Sequence, residues 1–233
     1  MSFKLIMPMA GNGSRFADVG YTDPKPLIDV KGKPMFVRAI DDLKLKFDDM
    51  VFIVRKEHNI KDRVLAHYPA AKVVELDSVT QGAACSVLTA DQYLDPDDSV
   101  FISNCDQIIK WDTAQFEQLQ HNDGIILTFD CPERDPKCSF AQTDAKNGNV
   151  IRVAEKNPIS DTASTGHYYW RQWSTFKQST EKMIAANDRY KNEFYLCPVF
   201  NYTINESNTV KTVSVESMHM IGTPEDLNAW LSL

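Results

Sequence analysis

The chain carries 233 residues, 43% of them hydrophobic, and its 32 acidic against 25 basic side chains give a net charge of −7. That is long and apolar enough to bury a full core in one compact unit. The acidic balance argues against a broad basic surface for nucleic acid, yet a few local cations and backbone N–H groups can still hold a small anion.

Cys85, Cys105, Cys131, Cys138 and Cys197 are odd in number, lie far apart and form no C-x-x-C pair. Free thiols are expected, not a disulfide framework or a zinc site. No window reaches the roughly 18 apolar residues of a membrane span. The start of the chain lacks the basic, apolar and small-residue segments of a leader, so a cytoplasmic protein with no membrane partner is expected.

In chain order, short apolar runs recur with helical stretches between them: FKLIM (3–7), MVFIV (50–54), AKVVEL (71–76), SVFIS (99–103) and GIILTF (124–129). Apolar residues at helical spacing fill KPMFVRAIDDLKLK (33–46) and QGAACSVLTADQYL (81–94). This βαβ rhythm predicts a doubly wound α/β sheet of the nucleotide-binding type, mostly parallel and covered on both faces. Further on, CSFAQTDAKNGNVIRVAEK (138–156) reads as a hairpin turning at KNGN. A helix is expected over about 175–187, a strand over EFYLCPVFN (193–201), and another over VKTVSVE (210–216). The last helix, TPEDLNAWLSL (223–233), has Thr223 as N-cap, Pro224 at its first position and Asp226 where a carboxylate suits the helix dipole. No linker or repeat divides the chain, so residues 1–233 are expected to form one domain, with 1–130 and 131–233 as its halves.

The first apolar run leads into MPMAGNGSRFADVGYTDPKPL (7–27). Gly11 and Gly13 allow unusual backbone angles and close approach of a phosphate to N–H groups. Arg15 can bridge phosphate oxygens in bidentate fashion. Pro24 and Pro26 restrict the backbone on both sides of Lys25, which suits a lysine that must be aimed. Together these residues make a cationic clamp for a polyphosphate. No G-K-[ST] follows, and Phe16 stands where a third glycine would be, so neither a Walker loop nor a dinucleotide fingerprint is present.

The spacing resembles that of the sugar-1-phosphate nucleotidyltransferases, also called nucleoside-diphosphate-sugar pyrophosphorylases, in which A-G-x-G-[ST]-R precedes P-K-[PA]-[LM] by about ten residues. The resemblance runs through most of the chain. TQGAACSVLTA is similar to the family's GTA segment, VFISNCDQII to its strand ending in a metal-binding aspartate, and VAEKNP to its V-x-E-K-P. STGHYYW is similar to A-N-x-G-x-Y-x-F, and MIGTPEDL to DIGTPEDL.

The resemblance implies a Rossmann-like mixed sheet with a small β-rich acceptor-binding subregion. It also implies an enzyme in which a sugar 1-phosphate attacks the α-phosphorus of a nucleoside triphosphate and pyrophosphate leaves. On that basis Ala10, Gly11, Gly13 and Arg15 hold the β and γ phosphates, and Lys25 neutralises charge at the α-phosphate. Gly82 passes close to the nucleoside, and Asp77 is a candidate to accept from an amino group of the base. Glu155, Lys156, Gly166 and Glu193 form the acceptor side. Asp106 holds Mg²⁺. The family's second metal aspartate falls at Met220, a poor magnesium ligand; Glu216 or His219 is the candidate substitute, with Glu216 preferred because Mg²⁺ favours carboxylate. A cytidylyltransferase for a non-sugar phosphate such as phosphocholine, and a silent nucleotide or sugar-phosphate sensor, stand as alternatives. Acetyl transfer is not expected, and monomer and homo-oligomer are both left open.

Overall fold

The computed structural model describes residues 2–233. The first part of the chain forms β1 (Phe3–Pro8), α1 (Ser14–Ala17), β2 (Asp29–Val30), β3 (Lys33–Pro34), α2 (Met35–Leu43), β4 (Asp49–Arg55), α3 (Lys61–His67), β5 (Lys72–Leu76) and α4 (Ala83–Leu88). It continues through β6 (Ser99–Ser103), β7 (Gln107–Lys110), α5 (Ala114–Leu119), β8 (Gly124–Asp130), β9 (Ser139–Thr143), β10 (Val150–Glu155) and β11 (Thr162–Trp170). The last elements are α6 (Trp173–Ala185), α7 (Val199–Asn205), β12 (Val210–Ser214), β13 (Ser217–Met220) and α8 (Pro224–Leu231). No helix among the described residues is long and apolar enough to cross a membrane.

A nine-stranded sheet forms the frame. Strands β5, β4, β1 and β6 lie side by side and parallel, with Ile6 opposite Val51 on one side and Ile102 on the other. Leu5, Ile6 and Met7 are fully buried, as expected for a central parallel strand covered on both faces. On one face Ile6, Ile102 and Trp170 pack with α4, α6 and α7; on the other, Leu5, Met7 and Phe101 pack with α2, α3 and α5. The doubly wound arrangement expected from the sequence is therefore present. Helix α2 shows why: Met35, Phe36, Ala39, Ile40 and Leu43 are its buried side, and Lys44, in the left-handed region at φ 54°, ends it.

The second half extends the same sheet. Strand β11 runs antiparallel to β6 and is flanked on its other side by β8, which carries β12 in parallel. The expected hairpin is β9–β10, and it joins where Ala163 of β11 meets Phe140. Between Ser164 and Tyr168 the pairing with β8 shifts register. One expectation fails: 193–201 is not a strand. Phe194 N–H donates to Gln81 O at 2.8 Å and Phe194 O accepts from Ala84 N–H at 3.1 Å. The local backbone is thereby spent on the loop before α4 and not on a ladder, and Pro198 caps α7 a few residues on.

His167, in the middle of β11, is fully buried with Nδ1 2.9 Å from the Thr165 hydroxyl. Burial, opposed by the Thr165 backbone and the charge of Asp106, holds the imidazole down at about 4 against an ordinary 6.5. The unfolded chain takes up this proton below about 6.5 and the folded chain does not until about 4. Stability is therefore expected to fall by about 3 kcal/mol as pH drops through that window. Urea unfolding at steps from pH 7 to 4 should show the slope, and His167→Asn should flatten it.

Candidate active site

The carboxyl ends of β1 and β6 open onto three adjoining cavities of about 410, 260 and 740 Å³. This is where ligands of open α/β sheets sit. Beyond β1 the chain stays attached to β4 through Met9 N–H, which donates to Ile53 O at 2.7 Å. It then turns across Ala10, Gly11, Asn12 and Gly13, all of which line the first cavity. Gly13 is left-handed at φ 62°, and a Cβ there would stand 3.3 Å from the Lys25 Cβ. Lys25 opens a 3-10 turn whose Pro26 and Leu27 are buried and anchor it.

The Lys25 ammonium is ion-paired with the Asp106 carboxylate, just past β6, and both line the first and third cavities. Burial alone would lower the Lys25 ammonium, but Asp106 and Cys105 outweigh it and hold it above the usual lysine range. The lysine stays charged. Arg15 lines the third cavity with Lys25, Lys137, Lys156 and Lys191, against Asp106 and Asp226. In a chain of net charge −7 this is a local cationic basin.

Gly82 caps α4 at φ 135° and ψ 171° and lines the first cavity. A Cβ there would fall on the backbone of Phe194. The second cavity is lined by Glu155, Lys156 and Gly166, together with Tyr168, Cys197 and Met220. Burial pushes the Glu155 carboxyl up, against the Ser139 hydroxyl, which donates to it, and the Lys156 ammonium. Lys156 Nζ donates to the Tyr195 hydroxyl at 2.9 Å and lies 3.8 Å from Glu155. Gly166 has φ 80°, and a Cβ would stand 2.5 Å from Asn104 Nδ2.

Three of the sequence-based candidates stand elsewhere than expected. Asp77 is exposed, ion-paired with Lys56 at 2.6 Å, and lines none of the three cavities, whereas Val79 and Thr80 line the first. Glu193 lines the first cavity, beside Tyr195, and not the second. Glu216 is ion-paired with Lys110 at 2.6 Å. In the ribbon β7–β13, Met220 pairs with Gln107 while Ser217 pairs with Lys110. At about 3.3 Å per residue this carries Glu216 roughly 10 Å or more along the ribbon from Asp106. Strand alternation turns Met218 and Met220 toward the second cavity, and His219 lines none of the three.

Among the described residues no three His, Cys, Asp or Glu gather in a metal-binding group. The space at Asp106 nevertheless suits a hard cation. Gly222 keeps it open, since a Cβ there would stand 2.5 Å from Asp106 Oδ2. One carboxylate, with water and phosphate oxygens, is an ordinary set for Mg²⁺.

Sequence reasoning passed over Asn12, Asn104, Gln107, Lys137, Lys191 and Tyr195, which also line these cavities. Asn12 stood between the two glycines as a signal: its Oδ1 accepts from Arg55 Nη1 at 2.9 Å, and Arg55 is 7% exposed at the end of β4.

The arrangement is thus a glycine loop, a lysine and a carboxylate, with a second pocket alongside. The solved nucleoside-diphosphate-sugar pyrophosphorylase of Vibrio cholerae RC9 superposes with a TM-score of 0.82 at 26% identity, over 98% of this chain and 100% of that one. The bifunctional protein GlmU of Methanocaldococcus jannaschii is 28% identical over 166 residues, which is 70% of this chain and only 38% of that protein's length. UTP–glucose-1-phosphate uridylyltransferase AglF of Haloferax volcanii is 23% identical over 95% of this chain and 92% of its own. Residues 4–227, from β1 into α8, match the nucleotidyl transferase family, and the chain belongs to it.

Proposed function

We propose that the protein transfers a nucleotidyl group from a nucleoside triphosphate to a sugar 1-phosphate. Pyrophosphate is released, and the product is a nucleoside-diphosphate sugar for polysaccharide or glycoconjugate synthesis in the cytoplasm. The observation that carries this reading is the position of Lys25, a charged, proline-braced ammonium shared by the first and third cavities.

The acceptor phosphate is already a nucleophile at neutral pH, so the residues have to position and neutralise, not deprotonate. Backbone N–H groups of Gly11 and Gly13, with Arg15, receive the β and γ phosphates. The Lys25 ammonium moves from Asp106 to the α-phosphate as charge builds there. Lys156 draws in the acceptor phosphate, and Glu155, with Gly166 beside it, receives acceptor hydroxyls. Asp106 would hold Mg²⁺, which when bound would supply further neutralisation of phosphate charge. The apolar wall of Met218, Met220, Tyr168 and Cys197 favours a second reading, in which the phosphate is that of a non-sugar alcohol.

Pyrophosphate release with Mg²⁺ tests both readings. Each of CTP, UTP, GTP, dTTP and ATP is offered with hexose 1-phosphates, phosphocholine and phosphoethanolamine. One triphosphate with one acceptor is expected to exceed the rest by at least about tenfold. Binding of a triphosphate without turnover across the panel would favour a sensor and sink the transferase reading.

A further inference from the structure

Asn12 stands between Gly11 and Gly13 and lines both the first and the third cavity, as do Gly13, Lys25, Asp106 and Gln107. These residues mark the passage from one cavity to the other. Arg55, the last residue of β4, is nearly buried and lines none of the three cavities. Its Nη1 donates to Asn12 Oδ1 at 2.9 Å, and its Nη2 is ion-paired with the exposed Glu57.

A guanidinium carries donors and no acceptor, so the atom it holds is the Asn12 oxygen, and the planar carboxamide turns its NH₂ group away from Arg55. Asn12 lines the passage and Arg55 does not, so the NH₂ side is the one that faces it. The hold also acts on the loop. Glycine on both sides makes this the stretch with the most backbone freedom to lose when a ligand binds. Anchoring its middle residue to the end of a core strand removes much of that loss in advance.

Resting on the transferase reading above, we propose that the Asn12 NH₂ group donates to the polyphosphate chain of the triphosphate, and that Arg55 is the positioning residue that fixes it there. On that reading a triphosphate with its base by Gly82 and its tail at Arg15 runs through the passage, with Lys25 supplying charge and Asn12 a neutral donor. The contact is with phosphate oxygens, so it is the same whichever base the triphosphate carries.

Isothermal titration in Mg²⁺ provides the test, with two probes: the tightest binder among CTP, UTP, GTP, dTTP and ATP, and inorganic tripolyphosphate, which has no nucleoside. Asn12→Ala is expected to raise Kd for both by about five- to tenfold, the size of one hydrogen bond to a charged group, and to leave the acceptor KM within about threefold. Arg55→Met should raise Kd by about fivefold, and the double variant should bind no more than about twofold worse than Asn12→Ala, because Arg55 acts through Asn12; an arginine that merely supports the fold would add its own loss. Arg55→Gln takes its place in the cycle if Arg55→Met does not fold. Asn12→Asp keeps an oxygen for Arg55 and loses the NH₂ group, so its Tm should stay within about 3 °C of wild type while its Kd for tripolyphosphate rises at least as far as that of Asn12→Ala. A Kd for Asn12→Ala or Asn12→Asp within about twofold of wild type, a loss seen with the nucleotide but not with tripolyphosphate, or additive losses in the double variant overturns this inference alone. Binding without turnover sinks the transferase reading, and the same Kd comparison still decides the role of Asn12; no binding of any triphosphate overturns both.

Discussion

Lys25→Ala is expected to lower kcat for pyrophosphate release by about 10²–10³-fold, the usual cost of removing one preorganised charge that meets the transition state. The chain spends three features on this one ammonium. Pro24 and Pro26 flank it, Pro26 and Leu27 are buried and hold its turn, and Asp106 keeps it charged. In the proposed reaction charge on the α-phosphate oxygens grows during attack, so the loss should fall on kcat more than on the KM for triphosphate. Lys25→Arg should rescue poorly, because a planar fork cannot replace a compact charge in the space beside Asp106. Steady-state kinetics with the triphosphate and acceptor that turn over would check this. Activity of Lys25→Ala within tenfold of wild type would remove Lys25 from the chemistry.

The second large effect concerns stability. Gly82→Ala should destabilise the protein by about 3 kcal/mol, seen as a fall in Tm of roughly 6–12 °C for a chain of this size. A φ of 135° with ψ of 171° is a glycine conformation, and the added Cβ would strike Phe194 backbone atoms. Those atoms are not free to retreat, since Phe194 is hydrogen-bonded to Gln81 and Ala84 on both sides of the glycine. Triphosphate affinity should fall too, because the displaced loop carries Thr80 and leads into α4 with Ser86, both of which line the first cavity. Gly11→Ala is the control for thermal melting: nothing lies within 4 Å of its Cβ position and its φ is not in the left-handed region, so its Tm should move far less.

How much of this was legible in the chain depended on whether the signal was local. Strands β1, β4 and β6 are runs of residues buried on both faces, and such runs announce themselves. The cap of α8 was equally local, and Asp226 N–H does donate to the Thr223 hydroxyl, at 3.1 Å. The segment 193–201 misled because its apolar residues Phe194, Leu196, Val199 and Phe200 suit a strand. The backbone partners of Phe194 lie more than a hundred residues earlier in the chain, where no periodicity shows them. Glu216 misled for a related reason: four residues before Met220 is close in sequence, but along an extended ribbon it is a long way, and Lys110 was waiting there. Asp77 is exposed, pairs with Lys56 and lines none of the three cavities, a placement that its sequence neighbourhood does not show.

The placement of β11 has a consequence for how the chain is made. Residues 162–170 lie in the interior of the sheet, against β6 on one side and β8 on the other. During synthesis, β1, β4, β5 and β6 can assemble early, but the free edge of β6 waits for a segment about sixty residues downstream. Until that segment arrives, a row of unpaired amide and carbonyl groups stands open to any other nascent chain. Fragments ending before residue 162 should therefore aggregate, and refolding should be slow for a protein of this length, because its decisive pairing is among its least local.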